Sequence, residues 1–349
     1  MARSNRTYGG LRAALGGLAL LAAACSGPGG AELGEDWAGA TTFALVRVDG
    51  LVTVVGINPN RARAESLAVV PQQSDDTEAV SPHIVQLADG RWLVTVPRGG
   101  SGPDRRYLVN RKDHVLDSLT GDERLRRLLP GRTLVAEVAG LPDTETAGHA
   151  SASSVLVRDP SDWSTRRELK IPGTIGLAAS DPTSDKVCLG SDTEVAVAEL
   201  ADGKVTSVAV PSGTEITALA CPDGHPVIVR SSSSSGGPGA VRTTVTRASA
   251  ATTVSVTGGR VDGVAATTAT TDSSIVLAVA VGDETELIEI DTGTGKTRHH
   301  ARIAGLTASL GLTPSDAGWL LYTDHTVTHV NLTTGRTAEF NLPGTLLDS

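Results

Sequence analysis

At 349 residues the chain is long enough for one large repeat array. Aromatic residues make up 3% of it and there is a single Met, which excludes bulky helical packing in favour of strands rich in Val, Thr, Ala and Leu. The net charge of −9, without a basic stretch, excludes nucleic acid as the expected partner.

Residues 1–24 open on Arg3, Arg6 and Arg12 and continue as an apolar run from Leu11 to Ala24, too short to span a bilayer. A charged region followed by such a run is the pattern of an export signal. Its removal takes away three positive charges and no acid, so −9 becomes −12. The run ends Leu20-Leu21-Ala22-Ala23-Ala24-Cys25-Ser26-Gly27. Small residues before a lone Cys resemble the signal of bacterial lipoproteins, with the departure that Ala22 stands where that family usually has Leu. The resemblance implies cleavage before Cys25, a diacylglyceryl group on its thiol and a fatty acyl chain such as palmitate on its amine. The mature chain would then sit on the extracytoplasmic face of the cell membrane. Two or more acyl chains hold a protein stably on a bilayer, which one does not. The other reading is an ordinary secretory signal cut near Ala22-Ala23-Ala24. Residues 25–40 read as a flexible tether. The bias to Ala, Gly, Thr, Asp and Arg resembles that of a high-GC actinobacterial protein. With Cys25 set aside, Cys188 and Cys221 remain, and in an exported protein they form either a disulfide or two buried thiols. No Cys-x-x-Cys or Cys/His cluster prepares a metal site.

From residue 41 the chain is punctuated at Val70-Pro71, Leu119-Thr120-Gly121, Ile171-Pro172-Gly173, Val210-Pro211-Ser212-Gly213, Val256-Thr257-Gly258-Gly259, Ile303-Ala304-Gly305 and Leu342-Pro343-Gly344. The five units from Gly121 to Gly344 average about 45 residues, the period of a four-stranded propeller blade. In the unit 172–213, strands are expected at 175–179, 186–189, 194–200 and 204–210. The unit 305–344 repeats the order with strands at 308–312, 319–323, 326–331 and 337–342. Residues 41–70 supply only three strands. Leu342-Pro343-Gly344-Thr345-Leu346-Leu347 resembles the stretch from Ile171 to Leu177, where one blade ends and another begins. Residues 345–349 are therefore expected to add the inner strand of the first blade and close the ring. The expected fold is all-β, a seven-bladed β-propeller over residues 41–349, with six or eight blades left open.

One hairpin motif fixes the register: Asp291-Thr292-Gly293-Thr294-Gly295-Lys296-Thr297, with copies at Asn331 to Thr337 and Glu199 to Val205. Gly supplies a positive φ and the polar residues close the turn, so each copy reads as the hairpin between a blade's third and fourth strands. The motif is similar to the hairpin of the quinoprotein-like (PQQ-like) propeller repeat, which Asp291, Thr294, Gly295 and Lys296 match in register. That family's docking Trp falls here on His299, Glu339 and Ser207. The resemblance implies the fold and no cofactor. The same motif is no phosphate loop, because Ile290 replaces the required Gly and a strand follows where a helix is needed.

Other features read as ordinary surface. Of the eight histidines, His299 and His300 point to opposite faces, and His325 and His329 are about 13 Å apart if on one strand, too far for one metal. Ser315-Asp316-Ala317-Gly318-Trp319 is similar to the Asp box of sialidase propellers but reads better as a first-hairpin turn. Asp75, Asp76 and Glu78, Asp143 and Glu145, and Asp283, Glu284 and Glu286 fall mostly in expected loops. No nucleophile elbow is present. Residues 140–153 and 230–240 read as insertions between the second and third strands of their blades.

No catalytic constellation follows, so the expected function is a non-catalytic, monomeric binding or scaffold module for an envelope protein or glycan. Two alternatives remain: an envelope enzyme (lactonase, lyase or glycan hydrolase) with its site at the channel, and a metal- or ligand-sensing lipoprotein. The side chains at the channel mouth discriminate among the three.

Overall fold

The computed structural model describes residues 37, 39–71, 82–96, 105–110, 115–119, 126–139, 152–191, 194–210, 215–233, 241–247, 253–257, 260–266, 274–281, 283–305, 311–315 and 318–349. Their strands form seven four-stranded antiparallel sheets. The first blade contains β1 (Thr42–Val48), β2 (Leu51–Asn58) and β3 (Arg63–Val69). The second is β4 (His83–Gln86), β5 (Trp92–Val96), β6 (Arg105–Asn110) and β7 (Val115–Leu119). The third is β8 (Arg126–Pro130), β9 (Val135–Ala139), β10 (Ala152–Arg158) and β11 (Thr165–Pro172). The fourth is β12 (Leu177–Ser180), β13 (Lys186–Gly190), β14 (Glu194–Glu199) and β15 (Val205–Ala209). The fifth is β16 (Glu215–Ala220), β17 (Val227–Ser233), β18 (Val241–Arg247) and β19 (Thr253–Thr257). The sixth is β20 (Arg260–Ala266), β21 (Ser274–Val281), β22 (Glu284–Asp291) and β23 (Thr297–Ala304). The seventh is β24 (Gly311–Ser315), β25 (Gly318–Tyr322), β26 (Thr326–Asn331) and β27 (Arg336–Asn341). The last strand, β28 (Thr345–Asp348), pairs with β1, so the first sheet runs β28-β1-β2-β3 and draws on both ends of the described chain. Of the blade counts left open by the sequence, seven is the one formed.

Side-chain size and polarity follow the position of each strand in its blade. Second strands such as Trp92–Val96 and Ser274–Val281 are almost continuously apolar and almost wholly buried, because neighbouring blades cover both faces of the sheet. Fourth strands such as Arg336–Asn341 alternate polar residues and are largely exposed. First strands of successive blades lie against one another at the centre. There the small side chains of Leu177–Ser180 and Gly311–Ser315 suit the narrow inner ring.

Alternation along a strand sends successive residues to opposite neighbours. Ile275, Leu277 and Val279 of β21 pack with Val227 and Val229 of the fifth blade, while Val276 and Ala278 pack with Trp319 and Leu321 of the seventh. The same rule places an apolar cluster between every pair of consecutive blades, and another where Leu320, Tyr322 and Val327 meet Ala44, Val46 and Val55 of the first. The few aromatic side chains concentrate between the first two blades. Trp37 stacks on Phe43 with centroids 5.6 Å apart, and Phe43 meets Trp92 edge-on at 5.2 Å. Trp37 and Ala40 fall within the segment read as tether, yet both are buried, so the packed domain begins by Trp37.

The strand limits differ from expectation mainly at first strands. The seventh blade's first strand lies three residues later than expected and contains Pro314, paired with Trp319. A proline reads as a turn signal, but an edge strand tolerates one because its outward N–H is not needed by the ladder.

The hairpin motif closes as its residues require. Asp291 Oδ1 accepts from the N–H groups of Gly293 and Thr294 at 2.9 and 2.8 Å, and Gly295 adopts φ +72° and donates to the Asp291 carbonyl. Asn331 Oδ1 accepts from Thr334 N, and Gly335 and Gly203 take the same positive φ. Two further copies lack the Gly and escape sequence inspection. At Asn58 to Arg63 the left-handed position is Ala62, and at Asp159 to Ser164 it is Trp163 (φ +49° and +56°). The third-blade copy nevertheless repeats the sixth-blade bonds. Trp163 N–H donates to the Asp159 carbonyl at 2.8 Å, and Arg166 pairs with Asp159 seven residues back, as Arg298 does with Asp291.

Candidate functional site: the central channel

The first strands of the blades wall a cavity of about 580 Å³ at the centre of the disc. Its wall is mostly small or apolar, with Ala178, Ala179, Ala220, Pro130 and Pro314 typical. Four ionisable side chains interrupt it: His83 on β4, Arg127 on β8, Asp181 just after β12 and Asp348 on β28.

Both carboxylates are engaged within the fold. Asp348 Oδ2 accepts from the Ile84 N–H at 2.7 Å and lies 3.3 Å from His83 Nδ1, so the last strand is fastened to the second blade. Asp181 is buried; its Oδ1 accepts from Thr183 N and its Oδ2 from Asp223 N, each at 2.8 Å. Four residues on, Asp185 accepts from Thr133 N and Leu134 N through Oδ1 and from the Thr133 hydroxyl through Oδ2. The turn from Asp181 to Asp185 therefore caps a turn of the third blade on one side and one of the fifth on the other. The capped turn at Asp223-Gly224 needs this help, since Asp223 holds φ +53°. In the structure Cys188 and Cys221 are joined by a disulfide with Cα atoms 5.7 Å apart, tying the fourth blade to the fifth beside the same turn.

Arg127 differs from these groups. It has no hydrogen bond or ion pair among the described residues. Water reaches it, yet the channel walls surround it. That burial lowers its pKa from the ordinary guanidinium value, and the Asp348 carboxylate opposes the shift. A guanidinium stays protonated regardless, so among the described residues it is a cation in the cavity with five donors and no hydrogen-bonded partner.

A second ionic group lies outside the channel, between the second and third blades. Glu137 is wholly buried, with Oε1 2.7 Å from Arg106 Nη1 and Oε2 3.0 Å from Arg158 Nε. Arg158 also donates to the Thr165 hydroxyl and the Trp163 carbonyl, and Arg106 lies over the Trp163 ring, 5.6 Å from its centroid. This cluster ties the second blade to the third.

The remaining expected features are dispersed. His299 pairs with Glu289 at 2.7 Å and His300 with Glu286 at 3.1 Å, on opposite faces of β23. Glu284 and Glu286 both lie in β22, and Glu286 also pairs with Arg302. His325 sits in the turn before β26, 3.3 Å from the Gly344 carbonyl. Ser315 and Gly318 flank the turn of the seventh blade's first hairpin, where the Ser315 hydroxyl donates to the Gly318 carbonyl. Among the described residues, no three His, Cys, Asp or Glu side chains gather as a metal site would require. Cys25, His114, His149, Asp75, Asp76, Glu78, Asp143, Glu145 and most of the two insertions lie outside the described residues.

No single feature of the sequence isolates Arg127, His83 and Asp348. Aligning first strands does not isolate them either, since Glu215, Arg260 and Asp262 also lie on first strands; the channel lining brings them together.

No protein-family model matches the chain, and no curated protein matches it. Among solved structures, a chain of a nidogen/laminin complex aligns with a TM-score of 0.45 and 9% identity, covering 74% of this chain and 97% of that one. The propeller assignment rests on this protein's own strand pairing.

Proposed function

We propose that this protein is a lipid-anchored, extracytoplasmic binding module that works without catalysis, presenting its disc and channel to a protein or glycan of the cell envelope. The observation that carries the reading is the state of the channel's acids. Asp181 and Asp348 are both committed to main-chain donors of neighbouring blades, so neither is poised as a general acid or base against a substrate. What the channel offers instead is an open, largely apolar cavity of a size that suits a small ligand or a protruding partner side chain.

Support for the anchor comes from residues 1–25: the three arginines, the short apolar run and the Cys at its end. Support for a single compact domain behind a short tether comes from Trp37, buried 12 residues after Cys25. Membrane fractionation and intact-mass measurement of the full-length chain from a bacterial host test the anchor. The expected mass is that of a chain starting at lipid-modified Cys25, with Cys25→Ala moving the protein to the soluble fraction. A mature chain with an unmodified Cys25, or one cut elsewhere, would refute it.

A further inference from the structure

We propose that the central channel takes a small monocarboxylate ligand and that Arg127 is the group that binds it. The inference deepens the binding-module reading by naming the ligand class of its cavity. Three observations carry it. The cavity is formed where first strands from several blades meet, so a ligand there would touch blades distant in sequence. Its two side-chain carboxylates already have donors, whereas Arg127 has no hydrogen-bond or ion-pair partner among the described residues. Arg127 is exposed to solvent along the open cavity, so a ligand oxyanion can reach its guanidinium and take up its donors.

The surroundings select among anions. A carboxylate matches the planar fork of Arg127 with two parallel N–H···O bonds. Asp348 faces Arg127 and is itself negative, with His83 beside it, and Asp181 adds a second negative charge on the wall. A ligand group with a single negative charge is tolerated there better than a phosphate dianion, whose second charge gains less from Arg127 than it loses to the two acids. The rest of the wall, small and apolar at Ala178, Ala179 and Ala220, suits a short aliphatic substituent on the carboxylate.

Isothermal titration of the full-length chain with N-acetylalanine, acetate and inorganic phosphate tests the proposal. Saturable binding of N-acetylalanine is expected, stronger than that of acetate or phosphate. Arg127→Gln should weaken it roughly tenfold or more, with Arg127→Lys intermediate. Failure of the wild-type chain to bind N-acetylalanine at millimolar concentration, or equal binding by Arg127→Gln, would overturn the proposal. Tighter binding of phosphate would overturn the ligand class. If Arg127→Gln does not fold, the Arg127 Nε–Hε resonance of the wild-type chain decides: it should shift on titration, and a resonance that does not move refutes the assignment. Any of these failures leaves the wider reading intact, since an envelope partner could still bind the rim.

Discussion

Replacing Glu137 with Leu should be among the most damaging single changes in this protein. The carboxylate is wholly buried and lies between two guanidinium groups that are themselves 4% and 8% exposed as residues, Arg106 from the second blade and Arg158 from the third. Leu is close to Glu in volume, so the change opens little space and acts through charge. Arg158 keeps the Thr165 hydroxyl and the Trp163 carbonyl. Arg106 keeps the face of Trp163, which contributes about 0.5–2 kcal/mol. Breaking a buried ion pair from one side costs about 3–5 kcal/mol, and two cations lose their partner here, so the upper end of that range is expected. Against a total stability of about 5–15 kcal/mol, that is a large fraction. Urea unfolding followed by tryptophan emission would read it, because Trp163 lies beneath Arg106. The triple variant Arg106→Met, Glu137→Leu, Arg158→Met should recover most of the loss, since an apolar set of similar volume has no buried charge to satisfy. A Glu137→Leu variant that loses less than about 1 kcal/mol would show that the three side chains do not form a buried unit, and would refute the reasoning.

Further outcomes follow from other parts of the disc. Cys188→Ser with Cys221→Ser should cost about 3–4 kcal/mol by the loop-entropy relation for a separation of 33 residues, read as a lower melting temperature that reductant no longer changes. Ala62→Gly should stabilise the protein by roughly 0.5 kcal/mol, because relief of the left-handed strain slightly exceeds the added freedom of the unfolded chain; Gly295→Ala should destabilise it, and thermal unfolding of both variants checks the opposite signs. Asp291 is held at a pKa of about 2, below its ordinary 3.8, first by the Thr294 N–H and then by Arg298. Its contribution to stability is thus present above about pH 4 and is lost as pH falls toward 2. The melting-temperature gap between wild type and Asp291→Asn should narrow over that window.

Much of the fold was legible because blades repeat a local grammar. The alternation of apolar residues, the Gly-containing third hairpins and the spacing of Pro-Gly punctuation gave the register of the fourth and seventh blades to within a few residues. Legibility fell where the same backbone was made from different residues. The hairpin at Asp159 has the backbone bond of the motif and that at Asn58 its side-chain bond from Arg61 N, but they carry Trp163 and Ala62 at the left-handed position, where sequence inspection looks for Gly. Trp37 stands among Gly, Ala and acidic residues, a composition that reads as a tether, although its ring stacks on Phe43. The channel was the least legible part. Asp181 and Asp185 read as turn residues, which they are, but their carboxylates act on turns of the two adjacent blades. Arg127, His83 and Asp348 are brought together only by the ring, across more than 200 residues.

The account depends most on the last strand, which completes the first blade and brings Asp348 to the channel. Deleting residues 345–349 removes the half-buried Leu346 and Leu347, at roughly 1 kcal/mol each, and the bond from Ile84 N to Asp348, at about 1.5–3 kcal/mol. Equilibrium unfolding of the truncated chain should therefore show a loss of about 3–5 kcal/mol, with the Arg127 Nε–Hε resonance displaced. A truncated chain with unchanged stability and an unmoved Arg127 signal would contradict the strand's place in the first blade, and with it the channel built upon it.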